Sequence, residues 1–446
     1  MKTYDTVVIG GGPGGYEAAL ELGRSGTPTL LIEREKARIG GTCLNEGCIP
    51  SKQYLEAADF ASKAAFFRDL DIVGTTKALE LGRLKAKTTA LKDEIRSGMV
   101  WMLDQAGVEL MYGTARFADA HTLEVNGETV GFEHCIIATG SQVRHIPALP
   151  ADGKRIITSR EVFGLERLPA SIAIVGGGAI ACEFATFFAA FGTRVTLVIR
   201  GTQLLSAEDE DVSKALMRAF RQRGIDIVTS AAPEKAEVLE TGVRLHLGGE
   251  TPLECETLLG ATGRIPRTGE LMPDNAGVDC DEKGFVKVNP MFRTSAAHIY
   301  AVGDCIATQA DAHTASAEGR IAAKNIAGAA LSNTRLSPSA TFSEPAVARC
   351  GLSEREAVKQ GRKIGVRKAY FKANAKAKIM GNDAGFAKLV VDGTDGTVLG
   401  AAIVGIGAAE VIHLPAMAVE QKLSVDELKS MIRIHPTLSE TMPSEP

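Results

Sequence analysis

The stretch Thr6-Val7-Val8-Ile9-Gly10-Gly11-Gly12-Pro13-Gly14-Gly15 decides how this chain begins to fold. Four β-branched residues predict a buried strand, and the glycines after them predict a tight turn into a helix. The spacing Gly10-x-Gly12-x-x-Gly15 has a physical logic. One glycine makes the turn, one lets a pyrophosphate approach the backbone, and one lets helix and strand pack closely. The helix start then offers unpaired N–H groups and a positive dipole end to the phosphates. Glu33 closes the next apolar run, Leu30-Leu31-Ile32-Glu33, where a carboxylate can accept both ribose hydroxyls.

The pattern recurs. Ile172-Ala173-Ile174-Val175 leads into Gly176-Gly177-Gly178-Ala179-Ile180-Ala181, and a second apolar run follows at Val195-Thr196-Leu197-Val198-Ile199. Two such βαβ units predict an α/β chain with two Rossmann-like dinucleotide-binding domains. Residues 80–106 read as a long amphipathic helix. Residues 336–446 hold strand runs at 387–391 and 397–404 and helical segments near 408–421 and 425–432, which predicts a C-terminal α+β domain without a nucleotide fingerprint. The expected boundaries are 1–143 for the first part of the first nucleotide domain, 144–263 for the second, 264–335 for a central part completing the first, and 336–446 for the last. A chain of 446 residues is too long for one core, and about three domains of roughly 150 residues is the expectation.

Composition narrows the class. Apolar residues make up 45% and charged residues 23%, ordinary for a globular chain, and the formal net charge of −4 gives no basic field for nucleic acid. No run approaches the ~18 apolar residues of a membrane span. The N-terminus passes straight into a strand with no signal or transit segment, so the expected location is the cytoplasm. Six of the eight cysteines are scattered singly. In a reducing compartment, the one close pair points to catalysis rather than to structural bridges.

That pair lies in Gly40-Gly41-Thr42-Cys43-Leu44-Asn45-Glu46-Gly47-Cys48-Ile49-Pro50-Ser51-Lys52. Two cysteines five apart, at the start of a predicted helix, can approach across its first turns. The helix N-terminus favours a thiolate there, Lys52 adds positive charge, and a thiolate is what exchanges with a disulfide. Half a zinc site is the competing idea, but no second Cys or His pair at ligand spacing exists, so no metal is expected. Further on, Thr294–Asp304 reads as a strand ending in Gly303-Asp304, in isolation an ordinary turn. His435-Pro436-Thr437-Leu438-Ser439-Glu440 could form an oriented acid–base dyad. Taken alone, a surface histidine beside a helix-capping glutamate is the simpler reading.

Together these motifs resemble the class I pyridine nucleotide–disulfide oxidoreductases, above all the dihydrolipoamide dehydrogenase type. The resemblance runs through Gly10–Gly15, Cys43–Lys52, Ala138-Thr139-Gly140-Ser141 (taken as a return strand), Gly176–Glu183, Ala261-Thr262-Gly263-Arg264, Tyr300–Asp304 and the C-terminal motif. It implies FAD at the first site, with Asp304 on the ribityl chain. It implies that Cys48 faces the flavin as the charge-transfer thiolate and that Cys43 exchanges with substrate. Lys52 and Glu183 would pair near the flavin N5 and the nicotinamide. Ala115 and Ala312 would contact FAD through backbone, and Thr42, Ser141 and Gly263 would belong to the cofactor-binding set. Residues 336–446 become a dimerisation domain. In the relatives the His-Pro-Thr-x-x-Glu motif reaches into the other subunit's active site, so a homodimer is implied, with His435 as base and Glu440 as its orienting carboxylate. Glu46 stands where these enzymes often carry valine, and Arg433 where they often have a second histidine. The chain's last residue, Pro446, falls sooner than in many of them.

The second fingerprint, Gly176-x-Gly178-x-x-Ala181, departs from an NAD site. An acid normally ends the following strand to bind the ribose 2′-OH. Here Ile199 and Arg200 stand there, with no carboxylate to repel a 2′-phosphate and a guanidinium to bind one. This is similar to the NADPH-using glutathione reductases, except that their second arginine is replaced by Ser206. NADP(H) is therefore favoured over NAD(H), although Arg200 could be a solvated turn residue. The implied activity is electron transfer between a dithiol or disulfide, foremost dihydrolipoamide or lipoamide, free or protein-bound, and NAD(P). An NADPH-dependent reductase of another small disulfide or a metal ion is the alternative. A flavin-bearing structural subunit of a lipoyl-carrying complex is a third reading. Glutathione reductase fits poorly, with Pro13 in place of its serine and Leu20 in place of its substrate-binding arginine. No cysteine follows Cys350, which disfavours a mercuric reductase, and the soluble transhydrogenases lack the redox pair present here.

Overall fold

The computed structural model describes residues 2–70, 79–249, 251–333 and 336–443. It divides into two compact units. One comprises residues 1–51, 83–144 and 263–334, and the other residues 52–82, 145–262 and 335–446.

In the first unit four strands run parallel around the opening one. Lys2–Ile9 lies between Thr29–Glu33 and Glu128–Ile137, and Glu109–Tyr112 extends the sheet beyond Thr29–Glu33. Ile299–Ala301 joins parallel to Glu128–Ile137, and Ala115–Phe117 and Thr122–Val125 add an antiparallel meander. Strands covered on both faces must be apolar throughout, and Val7, Val8, Leu30, Leu31, Ile136 and Ile137 are fully buried. The strand order reverses beside Lys2–Ile9, which is where the first glycine turn sits and where open α/β sheets bind ligands.

Two differences from the sequence reading appear here. Residues 138–140 are a connector after the strand Glu128–Ile137 rather than a strand themselves, and pairing resumes at Ser141–Val143 with Arg264–Pro266. Of Thr294–Asp304, only Ile299–Ala301 is strand, and a short 3-10 turn at Gly303–Cys305 follows. Gly303 takes a positive φ of 72° there, which breaks the ladder.

The second unit repeats the first design. Ser171–Val175 lies between Arg194–Val198 and Thr257–Gly260, flanked by Asp226–Val228 and Ile156–Thr158, all parallel. The same unit carries a five-stranded antiparallel sheet with spatial order Ser339–Thr341, Val347–Gly351, Val398–Val404, Phe386–Asp392, Ile364–Tyr370. The helices Ala408–Val411, His413–Glu420 and Val425–Ser430 follow. The helix expected over 80–106 runs Leu81–Gln105. No helix among the described residues is long and apolar enough to cross a membrane.

Candidate active site

The first glycine turn is forced by its neighbours. Gly10 has φ +105°, and a Cβ there would run into the Ala138 carbonyl oxygen. A Cβ on Gly15 would strike the Gly10 carbonyl, so the helix Pro13–Arg24 can lie on its own strand only without side chains at both places. Its N-cap, Gly12, offers no side-chain cap, and a Cβ there would meet only the Gly41 Cα, at 3.8 Å. The first N–H groups therefore remain available to an anion, with open space before them.

Glu33 comes back across the turn. Its Oε2 accepts the Gly11 N–H at 2.8 Å and its Oε1 the Arg34 N–H at 2.7 Å. Burial pushes the carboxyl above its ordinary value, while the two N–H bonds pull the other way. Such a group gains from hydroxyl donors that favour its ionised form. Asp304 is the middle residue of the Gly303–Cys305 turn and accepts the Ser141 hydroxyl at 2.6 Å, and Arg264 donates to the same hydroxyl at 2.7 Å and to the Ser141 carbonyl at 2.8 Å. Ala115 opens the strand Ala115–Phe117, and Ala312 opens the helix Ala312–Ile326. An uncapped helix start, a strand-end carboxylate and a second carboxylate in one unit fit a dinucleotide such as FAD.

The two cysteines occupy two helices rather than one. Cys43 lies in Gly41–Glu46, and Cys48 is the first residue of Cys48–Phe66. Gly47 makes the break. A Cβ there would lie 2.8 Å from the Thr42 carbonyl oxygen and 3.3 Å from the Cys43 Cα, so only glycine folds the second helix back over the turn that carries Cys43. Cys48 thus stands at a helix N-terminus, where the dipole favours a thiolate. Burial lowers the pKa of Arg264 below its ordinary value, against the negative charge of Asp304, Glu46 and Cys48. The guanidinium therefore lies within electrostatic reach of Cys48. Glu46 does not weigh on the pair as a bare anion, because Arg38 grips it bidentately at 3.0 and 3.1 Å. Asn45 is held by Arg96 at 2.7 Å, and it donates to the Gly41 carbonyl at 2.8 Å. No sequence spacing announced Arg38 or Arg96, since both act across loops.

In the second unit Gly176 repeats Gly10, with φ +140° and a Cβ position against the Ala261 carbonyl oxygen. The helix Ala179–Ala190 starts uncapped at Gly178, where a Cβ would meet nothing within 4 Å, and Ala181 is fully buried against the strand. The turn again fits a dinucleotide pyrophosphate. Glu183, buried in that helix, accepts from Lys52 Nζ at 2.9 and 3.0 Å and from the Phe342 N–H at 3.0 Å. The Lys52 ammonium also lies 4.5 Å from the centre of the Phe342 ring. Ile199 is buried and its Cγ2 lies 3.0 Å from where a Gly177 Cβ would stand, while Arg200 is exposed. Gly263, in the first unit, has φ +105° and accepts the Arg144 N–H at 3.0 Å.

His435 Nδ1 lies 3.0 Å from Glu440 Oε1 on an exposed turn, and Glu440 Oε2 accepts the Thr437 N–H at 2.8 Å. The Thr437 N–H and then His435 hold the Glu440 carboxyl below its ordinary value. A carboxylate only accepts, so Nδ1 carries the proton toward it and Nε2 is left to take another. Arg433 donates to the Leu428 carbonyl at 2.7 Å. Residues 444–446, with the chain's last residue Pro446, lie outside the described ones.

Residues 4–319 match the pyridine nucleotide-disulphide oxidoreductase family, and residues 337–446 match its dimerisation domain. The chain belongs to the pyridine nucleotide-disulphide oxidoreductase family. It is 38% identical to a dihydrolipoyl dehydrogenase of Chlorobaculum tepidum, over 98% of this chain and 95% of that protein. Among solved structures it is similar to LpdA from Mycobacterium tuberculosis, with 27% identity and a TM-score of 0.91 over 99% of this chain and 98% of that one. The HOCl-induced flavoprotein disulfide reductase RclA from Escherichia coli, solved as a Cu(II) complex, shares 28% identity and a TM-score of 0.89 over the same shares. As a member of the pyridine nucleotide-disulphide oxidoreductases, this chain is a flavoprotein disulfide oxidoreductase working with FAD and a pyridine nucleotide. The matched dimerisation domain supports a homodimer.

Proposed function

We propose that this enzyme moves electrons between a lipoyl-type dithiol or disulfide and NADP(H), through FAD and the Cys43–Cys48 pair, in the cytoplasm. The observation that carries the reading is the Gly47 break, a close approach to Thr42 and Cys43 just before the helix that Cys48 opens, in a chain 38% identical to a dihydrolipoyl dehydrogenase. Residues 1–143 and 264–335 would form the flavin domain, 144–263 the nicotinamide domain and 336–446 the interface. Gly10, Gly12, Gly15, Glu33, Thr42, Ala115, Ser141, Gly263, Asp304 and Ala312 would hold FAD, with Lys52 and Glu183 toward its reactive end. Gly176, Gly178, Ala181 and Arg200 would hold the nicotinamide cofactor.

A substrate thiolate attacks Cys43 Sγ and breaks the Cys43–Cys48 bond, releasing Cys48 as a thiolate at its helix N-terminus. The partner subunit's His435 takes the proton of the second substrate thiol at Nε2, while the partner's Glu440 holds Nδ1–H and balances the imidazolium. That second thiolate closes the substrate disulfide and frees Cys43. Bound FAD supplies the passage of the two electrons from the reduced pair to the nicotinamide. The Arg38–Glu46 ion pair keeps the neighbouring acid from opposing the thiolate.

Replacing Cys43 or Cys48 with serine should abolish turnover of lipoamide while FAD stays bound. Substantial surviving activity with lipoamide would sink the assignment. Rates with lipoamide and NADPH, against lipoamide and NADH, test the cofactor. A second reading, an NADPH-dependent reductase of another disulfide or of a metal ion, draws on the likeness to RclA and its Cu(II) complex. It gains if lipoamide fails with both cofactors while NADPH still reduces the flavin.

A further inference from the structure

The loop after Arg194–Val198 is anchored at both ends. The Leu205 N–H donates to the Gly177 carbonyl at 2.7 Å, and the Ser230 N–H to the Gly201 carbonyl at 2.8 Å. Ser206 therefore emerges beside the second glycine turn, at the end of the site where the adenine ribose belongs. Arg355, from the short helix Glu354–Lys359, reaches this point. Its Nη2 donates to the Ser206 carbonyl at 3.3 Å and the Ala207 carbonyl at 3.1 Å. Its own N–H donates to Asp209 Oδ1 at 3.3 Å, which fixes where the side chain starts.

The acids around the loop are gathered by a few cations. Lys388, whose side chain is wholly buried, takes up Asp209, Asp211 and Glu354 at 2.8, 2.8 and 2.6 Å. Lys368 also pairs with Asp211 at 2.5 Å, Arg349 with Glu208 at 3.4 Å, and Lys214 with Glu210 at 2.7 Å. Glu356 is spent on the Ser353 cap at 2.9 Å. Every acid of the loop and of the Arg355 helix is thus engaged. Arg200 and Arg355 are both exposed, and among the described residues neither forms an ion pair. Two guanidiniums without an ion pair, Arg200 on the loop and Arg355 on the helix beside it, suit a phosphate monoester, which an arginine binds through its planar donor fork.

We infer that Arg355 is a specificity-determining residue, contributing with Arg200 the positive charge that receives the 2′-phosphate of NADP(H). The inference rests on the NADP(H) reading above and adds to it a residue from far along the chain. The hydrogen bonds to Ser206 and Ala207 occupy Nη2 and hold the guanidinium against the loop.

The test uses the holoenzyme. KM for NADPH and for NADH is measured in the unaltered enzyme, in Arg355→Gln, in Arg355→Lys and in Arg200→Gln, with inhibition by 2′,5′-ADP and by ADP beside it. Arg355→Gln should raise KM for NADPH and the inhibition constant of 2′,5′-ADP about tenfold, ~1.4 kcal/mol. NADH and ADP should change less than twofold, and Arg355→Lys should recover part of the loss. High salt should shrink the difference between Arg355→Gln and the unaltered enzyme. If both cofactors weaken alike, Arg355 only braces the loop and the inference is overturned. If Arg200→Gln loses NADPH selectivity and Arg355→Gln does not, the inference falls while the cofactor reading stands. An unaltered enzyme that prefers NADH and ignores 2′,5′-ADP overturns both.

Discussion

The two glycine turns are built alike and end differently. In both, the first glycine takes a positive φ under a carbonyl from a neighbouring strand's end, Ala138 for Gly10 and Ala261 for Gly176. In both, the middle glycine packs on the residue closing the next strand run. At the first turn that residue is Glu33, 3.3 Å from the Gly11 Cβ position and bonded to the Gly11 N–H. At the second it is Ile199, which packs there with a methyl group, and the exposed Arg200 follows it. On the proposed reading, the backbone sets pyrophosphate binding and one side-chain position sets what the ribose may carry.

The largest effects should come from the shared backbone. Gly10→Ala and Gly176→Ala each add left-handed strain, about 1–3 kcal/mol, and a clash of similar cost, about 1–3 kcal/mol. Gly10→Ala should yield protein purified without flavin absorbance. Gly176→Ala should keep the flavin and slow its reduction by NADPH on the order of a thousandfold. If Gly176→Ala is reduced normally, the two turns are not equivalent and the comparison breaks.

The loop's support comes next. Lys388→Met leaves three carboxylates facing one another, and chemical unfolding should show a loss of about 3–5 kcal/mol. Burial alone would lower the Lys388 pKa, but the bonds to Asp209, Asp211 and Glu354 outweigh it and raise it. A raised lysine contributes stability that is fully present below its unfolded pKa and lost as pH rises through the folded one. The gap between the unaltered enzyme and Lys388→Met should therefore narrow only at strongly alkaline pH, or in acid where the carboxylates protonate. A gap that does not vary with pH would refute the ion-pair account.

Exchanging the strand ends gives a smaller change. Ile199→Glu combined with Arg200→Ala should move the NADPH-to-NADH preference toward NADH by about a hundredfold, ~2.7 kcal/mol. An unchanged ratio would show that the position does not read the ribose. The smallest effect is the pH dependence of flavin binding. Burial raises the Glu33 pKa in the protein alone, and ribose hydroxyls donating to the carboxylate would lower it again. Binding then favours the ionised form, so affinity falls as pH drops through the raised value, at most about tenfold per pH unit. Reconstitution of the apoprotein with FAD, followed by flavin fluorescence, measures it. Glu33→Gln should flatten the slope.

What could be read from the sequence was local. Strand, turn and helix repeat every few residues, so Gly10–Gly15, Glu33, Gly176–Ala181 and the Cys43–Cys48 spacing carried their meaning in short windows. The five-residue spacing of His435 and Glu440 allowed a contact, but the spacing alone favoured a surface histidine beside a capping glutamate, and the contact itself appears only in the folded turn. Helix boundaries around the cysteines were not legible, because the break at Gly47 arises from how closely its Cα approaches Thr42 and Cys43. Glu46 was ambiguous in sequence, since nothing near it says which way a carboxylate turns. Its partner Arg38 lies across a loop, and the pairing settles the direction.

The sequence alone determined that this chain has two dinucleotide turns, a dithiol motif between them and an acid at the end of only one of the two strands. Those properties depend on backbone sterics and on neighbours within a turn. The tertiary structure decided which charges remain available. Lys388 and Asp209 are 179 residues apart, and Arg355 and Ser206 are 149 apart. Ion pairing acts over a few ångströms of space whatever the separation along the chain, so only the folded chain shows that the loop's acids are all engaged while Arg200 and Arg355 form no ion pair among the described residues.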